Sequence, residues 1–228
     1  MNSLSKNARI AGFLYLLLGL AGPVRLIYIP TVLFVSGNAA STVQNIVSHE
    51  ALFRFGIFAD LAAATLDILV VLALYRLLSG VDRALAVLMV VFGLCDVPIY
   101  FVNTLNDVGA LTFARGADFL AAFSEPQREA MTMLFLALHR YGVIVNEVFW
   151  GLWLLPFGIL VYKSGFLPRI LGVWLVLNCF AYLAQSVTGV LMPQYLDRVA
   201  TVAFPLQLGE LAIMFWLLIV GAKPRPTG

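Results

Sequence analysis

An all-α membrane protein of six transmembrane helices is the fold that this sequence predicts, and three observations predict it. Of 228 residues, 62% are hydrophobic and 11% charged, whereas a soluble domain carries about a quarter charged residues. Several apolar stretches exceed the roughly 18 residues that separate membrane spans from buried soluble helices. The basic residues gather in the connections between those stretches, which is where membrane topology places them.

The first stretch, 10–34, follows Lys6 and Arg9 and contains Gly19, Ala21 and Gly22, which together mimic a signal peptide. Its apolar character continues through Ile27 to Phe34 and no soluble domain follows, so it reads as a retained first span. The others are 52–78, 84–108, 131–162, 169–192 and 199–222, which makes residues 1–228 one polytopic domain. The fourth is long enough to tilt or protrude. Connections 76–83 and 163–169 are short and basic; Gly165 suits a helix C-cap and Pro168 the first turn of the next helix. The connections at 35–51, 109–130 and 193–198 are longer or richer in acids.

Lys6, Arg9, Arg76, Arg83, Lys163, Arg169, Lys223 and Arg225 fall on one side, against Arg54, Arg115, Arg128, Arg140 and Arg198 on the other. The side richer in basic residues is expected to be cytoplasmic, with both termini inside. Arg54-Phe-Gly-Ile57 returns 86 positions later as Arg140-Tyr-Gly-Val143, and Arg83-Ala-Leu85 as Arg169-Ile-Leu171. Spans two–three and four–five thus read as a parallel repeat, an arrangement that often surrounds a site; chance likeness among apolar helices is the competing explanation.

Some function classes fall away. The net charge of +2 and the lack of a basic tract interleaved with aromatics argue against nucleic acid. No phosphate-cradling glycine motif or serine-nucleophile elbow occurs, so neither cofactor nor catalytic residue is assigned. Cys95 and Cys179 fall within spans and read as packing residues. With only His49 and His139 as histidines, a three-ligand catalytic zinc centre is hard to assemble, and no metal is expected.

The informative residues are polar ones inside the spans. Positions seven apart lie nearly on one helix face. Asp60 pairs with Asp67 in this way, as do Asp96 with Asn103, His139 with Asn146, Arg140 with Glu147 and Asn178 with Gln185; Asp107 shares the face of Asn103, and Glu210 stands three after Gln207. A charge mid-bilayer costs on the order of 3 kcal/mol, so these groups must face one another rather than lipid. Counting about 1.5 Å per residue from the basic ends puts Arg25, Asp60, Glu147 and Gln185 roughly 24 Å across, and Asp96 and Glu210 roughly 20 Å. The expectation is one polar layer in which Arg25 faces Asp60, Asp96, Glu147 and Glu210, with a structural salt bridge to Asp60 or Glu147 as the plainer alternative. Arg25 satisfies one or two carboxylates at most; the remainder need a proton, water or a cation. Pro23, Pro98 and Pro205 stand close by and predict helix breaks. Arg54 and Arg140 at span ends are expected to snorkel.

The segments LFRFGIFADL (52–61), LALYRLLSGVDRALAVL (72–88), HRYGVIVNEVFWG (139–151), YKSGFLPRILG (162–172) and LGELAIMFWLLIVG (208–221) resemble the bacterial membrane family labelled domain of unknown function 4386. That resemblance implies a compact multi-span protein of the bacterial inner membrane and carries no activity. The polar stripes suggest an outward-facing cavity for a small polar ligand, cation or proton, with proton-coupled transport the leading function. Arg25, Asp60, Asp67, Asp96, Asn103, His139, Arg140, Asn146, Glu147, Asn178, Gln185 and Glu210 are the candidate residues. An intramembrane enzyme using a carboxylate and His139 on a lipid-like substrate, and a non-catalytic assembly or sensor protein, are the alternatives. Apart from that ligand, the expected partner is the lipid bilayer.

Overall fold

The computed structural model describes residues 3–223. Arg225, counted above among the basic residues of one face, lies outside the described residues. Eight α-helices run in order: α1 (Ser3–Pro23), α2 (Ile29–Leu33), α3 (Ala39–Ser48), α4 (Glu50–Leu78), α5 (Arg83–Arg115), α6 (Glu125–Ser164), α7 (Arg169–Leu191) and α8 (Leu196–Phe215). Among the described residues there is no strand. Six helical stretches are long and apolar enough to cross a membrane: Ser3–Leu33, Glu50–Leu78, Arg83–Arg115, Glu125–Ser164, Arg169–Leu191 and Pro193–Val220. The protein is a multi-pass membrane protein of six spans, as its apolar stretches predict.

Helix ends depart from the hydropathy boundaries, because hydropathy finds the apolar part of a helix whereas the backbone runs on until something stops it. α5 continues to Arg115 and ends where Gly116 adopts φ +65°. α6 begins at Glu125, just after the Ser124 amide donates to Gln127 Oε1 at 2.8 Å. The segment expected as a plain connection contains α3, whose N-cap Asn38 accepts from the Ser41 amide at 2.9 Å. Gly165 ends α6 with φ +70° as expected, and Pro168 is the N-cap of α7, one position before its first turn.

The prolines differ among themselves. α1 ends at Pro23 and a five-residue π-helical turn, Val24–Tyr28, follows it. Pro98, Pro156 and Pro205 lie inside α5, α6 and α8, which continue through them. Losing one hydrogen bond need not end a long helix whose neighbours hold it.

The chain gathers into two compact units. The first comprises Met1–Gly19, Thr65–Pro98 and Ile144–Gly228; the second comprises Leu20–Ala64 and Ile99–Val143. The core of the first includes Leu74, Met89, Trp153, Phe157, Leu175 and Ile213. Here α6 and α7 cross closely: a Cβ on Gly158 would lie 2.6 Å from the Gly172 carbonyl oxygen, and one on Gly172 equally close to that of Gly158. The second core is built from Ile29, Leu33, Ile46, Phe53, Ala110, Leu111 and Leu136.

The α4–α5 connection shows how a span end is fixed. Asp82 Oδ1 accepts from the Leu85 amide at 3.2 Å, and Oδ2 pairs with Lys163 Nζ at 2.9 Å. The Lys163 hydrogen bond, then that of Leu85, hold the Asp82 carboxyl below its ordinary range. A carboxyl lowered in this way stabilises the fold above the ordinary range near pH 4, and that contribution fades as pH falls through the folded value. Asp82→Ala is expected to lower the thermal midpoint by a few degrees at neutral pH, with Asp82→Asn, which can still cap, affected less. The gap between wild type and Asp82→Ala should close when melting is followed below about pH 4.

Candidate functional site

The second unit holds a buried cluster around Arg25, which is 3% exposed. The π turn after Pro23 carries this side chain, and its wider spacing resets the direction of the residues that follow. Arg25 Nε donates to Asp107 Oδ2 at 2.6 Å and Nη2 to Oδ1 at 2.5 Å, a bidentate pair. The guanidinium lies 5.6 Å from the ring centre of Phe34 and 5.9 Å from that of Phe53. His139, on α6, stands with Nδ1 3.3 Å from Asp107 Oδ2 and Nε2 3.7 Å from Asp60 Oδ2. Tyr100 interacts with the Asp60 carboxylate.

Two glycines make room for this cluster. A Cβ on Gly142 would overlap the Asn103 amide, and one on Gly56 would press on Ile29 and the Arg25 stem. Asn103 Nδ2 uses that space to donate to the His139 backbone carbonyl at 3.0 Å, and Asn106 Nδ2 donates to Asn103 Oδ1 at 2.9 Å. The glycine that follows each repeated arginine by two positions therefore admits polar side chains as well as a neighbouring helix.

The first unit holds a cluster of different chemistry, rich in acids and hydroxyls. Glu210 accepts hydrogen bonds from the Tyr15 hydroxyl, from Tyr182 and from Asn178 Nδ2, the last at 3.1 Å. Asp96 Oδ2 accepts from Trp150 Nε1 at 3.0 Å, and Asp96 also hydrogen-bonds Asp67. Two carboxyls can meet in that way only across a shared proton. Glu147, Asn146 and Gln185 belong to the same unit, and each has a buried atom without a hydrogen-bond partner among the described residues. None of Asp67, Asp96, Glu147 and Glu210 forms an ion pair with a basic side chain among the described residues.

The candidates thus divide. Arg25, Asp60, Asn103 and His139 come together in the second unit, while Asp67, Asp96, Asn146, Glu147, Asn178, Gln185 and Glu210 lie in the first. Arg25 takes Asp107 as its partner, in place of Asp60 or Glu147. By rise per residue Asp107 falls roughly 36 Å from Arg83, against roughly 24 Å for Arg25 from Arg9, so the count does not bring them level; α5 runs beyond the apolar stretch, and the π turn after Pro23 carries Arg25. Arg140 is exposed, with its guanidinium 5.2 Å from the Tyr141 ring centre, and stands outside the second unit's cluster, as snorkelling predicts. Arg54 is exposed too and pairs with Glu50 at 2.7 Å. The second unit also has a pocket of about 830 Å³ whose walls include Arg54, Phe58, Val108, Leu111 and Arg115, and none of its lining residues belongs to the Arg25 cluster.

Asp107, Tyr15, Tyr182 and Trp150 were missed as contributors. Asp107 carried a signal, since it stands four residues after Asn103 on the same face. The aromatic three carried none, because an aromatic residue in a span reads as packing until its hydroxyl or indole nitrogen is seen to have a partner.

Comparison with known proteins adds a family without an activity. The family described as "Domain of unknown function (DUF4386)" matches residues 10–221. The chain is also 28% identical over 159 residues to an uncharacterized protein of Archaeoglobus fulgidus, covering 69% of this chain and 78% of that one. No solved structure matches.

Proposed function

The chain belongs to the family described as domain of unknown function (DUF4386), whose description assigns no activity, and we propose that it binds protons or a small monovalent cation within the cytoplasmic membrane and transports them in coupled fashion. One observation carries this reading: the first unit holds the acids Asp96, which is buried, and Asp67, Glu147 and Glu210, which are half-buried, without a basic partner among the described residues. Buried carboxylates in an apolar medium stay only if a proton or a cation neutralises them. Around Glu210, the hydroxyls of Tyr15 and Tyr182 and the Asn178 amide supply neutral groups of the kind that hold a carboxyl in either protonation state. Asp96 and Asp67, sharing a proton, are the natural second station.

The test uses protein reconstituted in liposomes with a pH-sensitive dye inside and a gradient of Na⁺ or K⁺ imposed from outside. Wild type is expected to move protons in response to one of these cations. An Asp96→Asn/Glu210→Gln variant of wild-type yield and thermal midpoint should lose at least about tenfold of that flux, in line with intramembrane acids as ion-path groups. Unchanged flux in the double variant, or no cation-driven proton movement in wild type, overturns the reading.

A further inference from the structure

The second unit contains a cluster that the acid-rich station does not use, and its chemistry is different. We propose that Asp60, Asp107 and His139 form a binding site for one divalent transition-metal ion of the manganese–zinc class.

The three side chains come from α4, α5 and α6 and are 1%, 0% and 3% exposed. One donor atom from each lies within 4.8 Å of the others. Asp107 Oδ2 and His139 Nδ1 are 3.3 Å apart, the separation of two donors on a tetrahedral ion with bonds of about 2.0–2.1 Å. Asp60 Oδ2 lies nearest the other ring nitrogen, Nε2, at 3.7 Å, so an ion held by all three requires the Asp60 side chain to turn towards Nδ1. Two oxygens and one imidazole nitrogen suit zinc or manganese better than calcium or magnesium, which favour all-oxygen shells.

Two further observations point to a ligand. Tyr100 interacts with Asp60 and the Asn103 backbone with His139, but neither oxygen of Asp60 and neither ring nitrogen of His139 makes a hydrogen bond of full geometry among the described residues, although buried polar groups are normally satisfied. The charges are also unequal when both carboxyls are ionised: two carboxylates then face one guanidinium, and a proton or a cation must supply the balance. Arg25 does not block the site. A carboxylate offers about four lone-pair positions, and Arg25 uses one on each oxygen of Asp107. Its grip orients Asp107 as outer groups orient metal ligands elsewhere.

The competing account is a proton on Asp60 or on His139, which would balance the same charges without an ion, and the experiment separates ion from proton. The full chain, purified in detergent with a non-histidine tag, is stripped with EDTA, dialysed against Mn²⁺ or Zn²⁺ and subjected to elemental analysis. Wild type is expected to retain about one ion per chain, and Asp60→Asn/His139→Gln less than about a tenth of that. Asp96→Asn/Glu210→Gln should retain the ion, so the failure of this site and the failure of the acid-rich station are read separately. Wild-type protein loaded with Mn²⁺ should show imidazole ¹⁴N coupling by pulsed electron paramagnetic resonance, a readout independent of how any variant folds. An unloaded wild type, equal loading of the Asp60/His139 variant, or bound Mn²⁺ without nitrogen coupling overturns the site and leaves a cluster balanced by a proton.

Discussion

Asp107→Asn is expected to destabilise the protein by about 3–5 kcal/mol, the usual cost of removing one partner from a buried ion pair. It leaves the Arg25 guanidinium, 3% exposed, without its bidentate acceptor, and the cost follows from the stranded charge more than from the lost attraction. Arg25→Met combined with Asp107→Leu removes both charges together, and should lie closer to wild type than either single change, because apolar replacement of a buried pair is often neutral or better. Denaturant or thermal unfolding of the purified protein in detergent reads this directly. A Asp107→Asn midpoint equal to that of wild type would show that Arg25 has another anchor.

A change of comparable size is expected where α6 meets α7. Gly158→Leu should abolish the folded protein, and Gly158→Ala should cost about 1–3 kcal/mol, the usual penalty of overpacking. The added carbon meets backbone, the Gly172 carbonyl oxygen 2.6 Å away, and backbone in a helix cannot rotate aside as a side-chain tip can. Close approach through small residues is a principal way for helices in a bilayer to associate, because lipid and protein tails are equally apolar. Gly22→Ala is the control: a Cβ there meets nothing within 4 Å, and alanine favours a helix by up to about 1 kcal/mol over glycine. Monomeric yield by size-exclusion chromatography and the thermal midpoint distinguish the two positions.

The polar stripes were legible because a bilayer punishes their exposure. Arg25, Asp60, Asp96, Asn103, His139, Asn146, Asn178 and Gln185 are all buried, as helical spacing and membrane cost require. Arg140, at the same spacing from Glu147, is exposed because its long stem reaches outward. The partners were not legible. Asp60 and Asp96 look alike by count, yet Asp60 stands beside His139 and Asp96 beside Trp150. Which faces meet depends on helix rotation and tilt, and on a π turn whose extra residue leaves only Pro23 as a hint.

Residue order alone was enough to establish six spans, their approximate limits, the glycine stop at Gly165 and the inward turn of nearly every intramembrane polar group. Each of these follows from one helix and its solvent, and is therefore written locally. The pairing of Arg25 with Asp107, the division of the candidates between a cluster with a basic partner and one of acids and amides without any, and the mutual contact of Gly158 and Gly172 emerged only with the packed chain. They depend on atoms far apart in sequence, brought together by side-chain fit that no single helix contains.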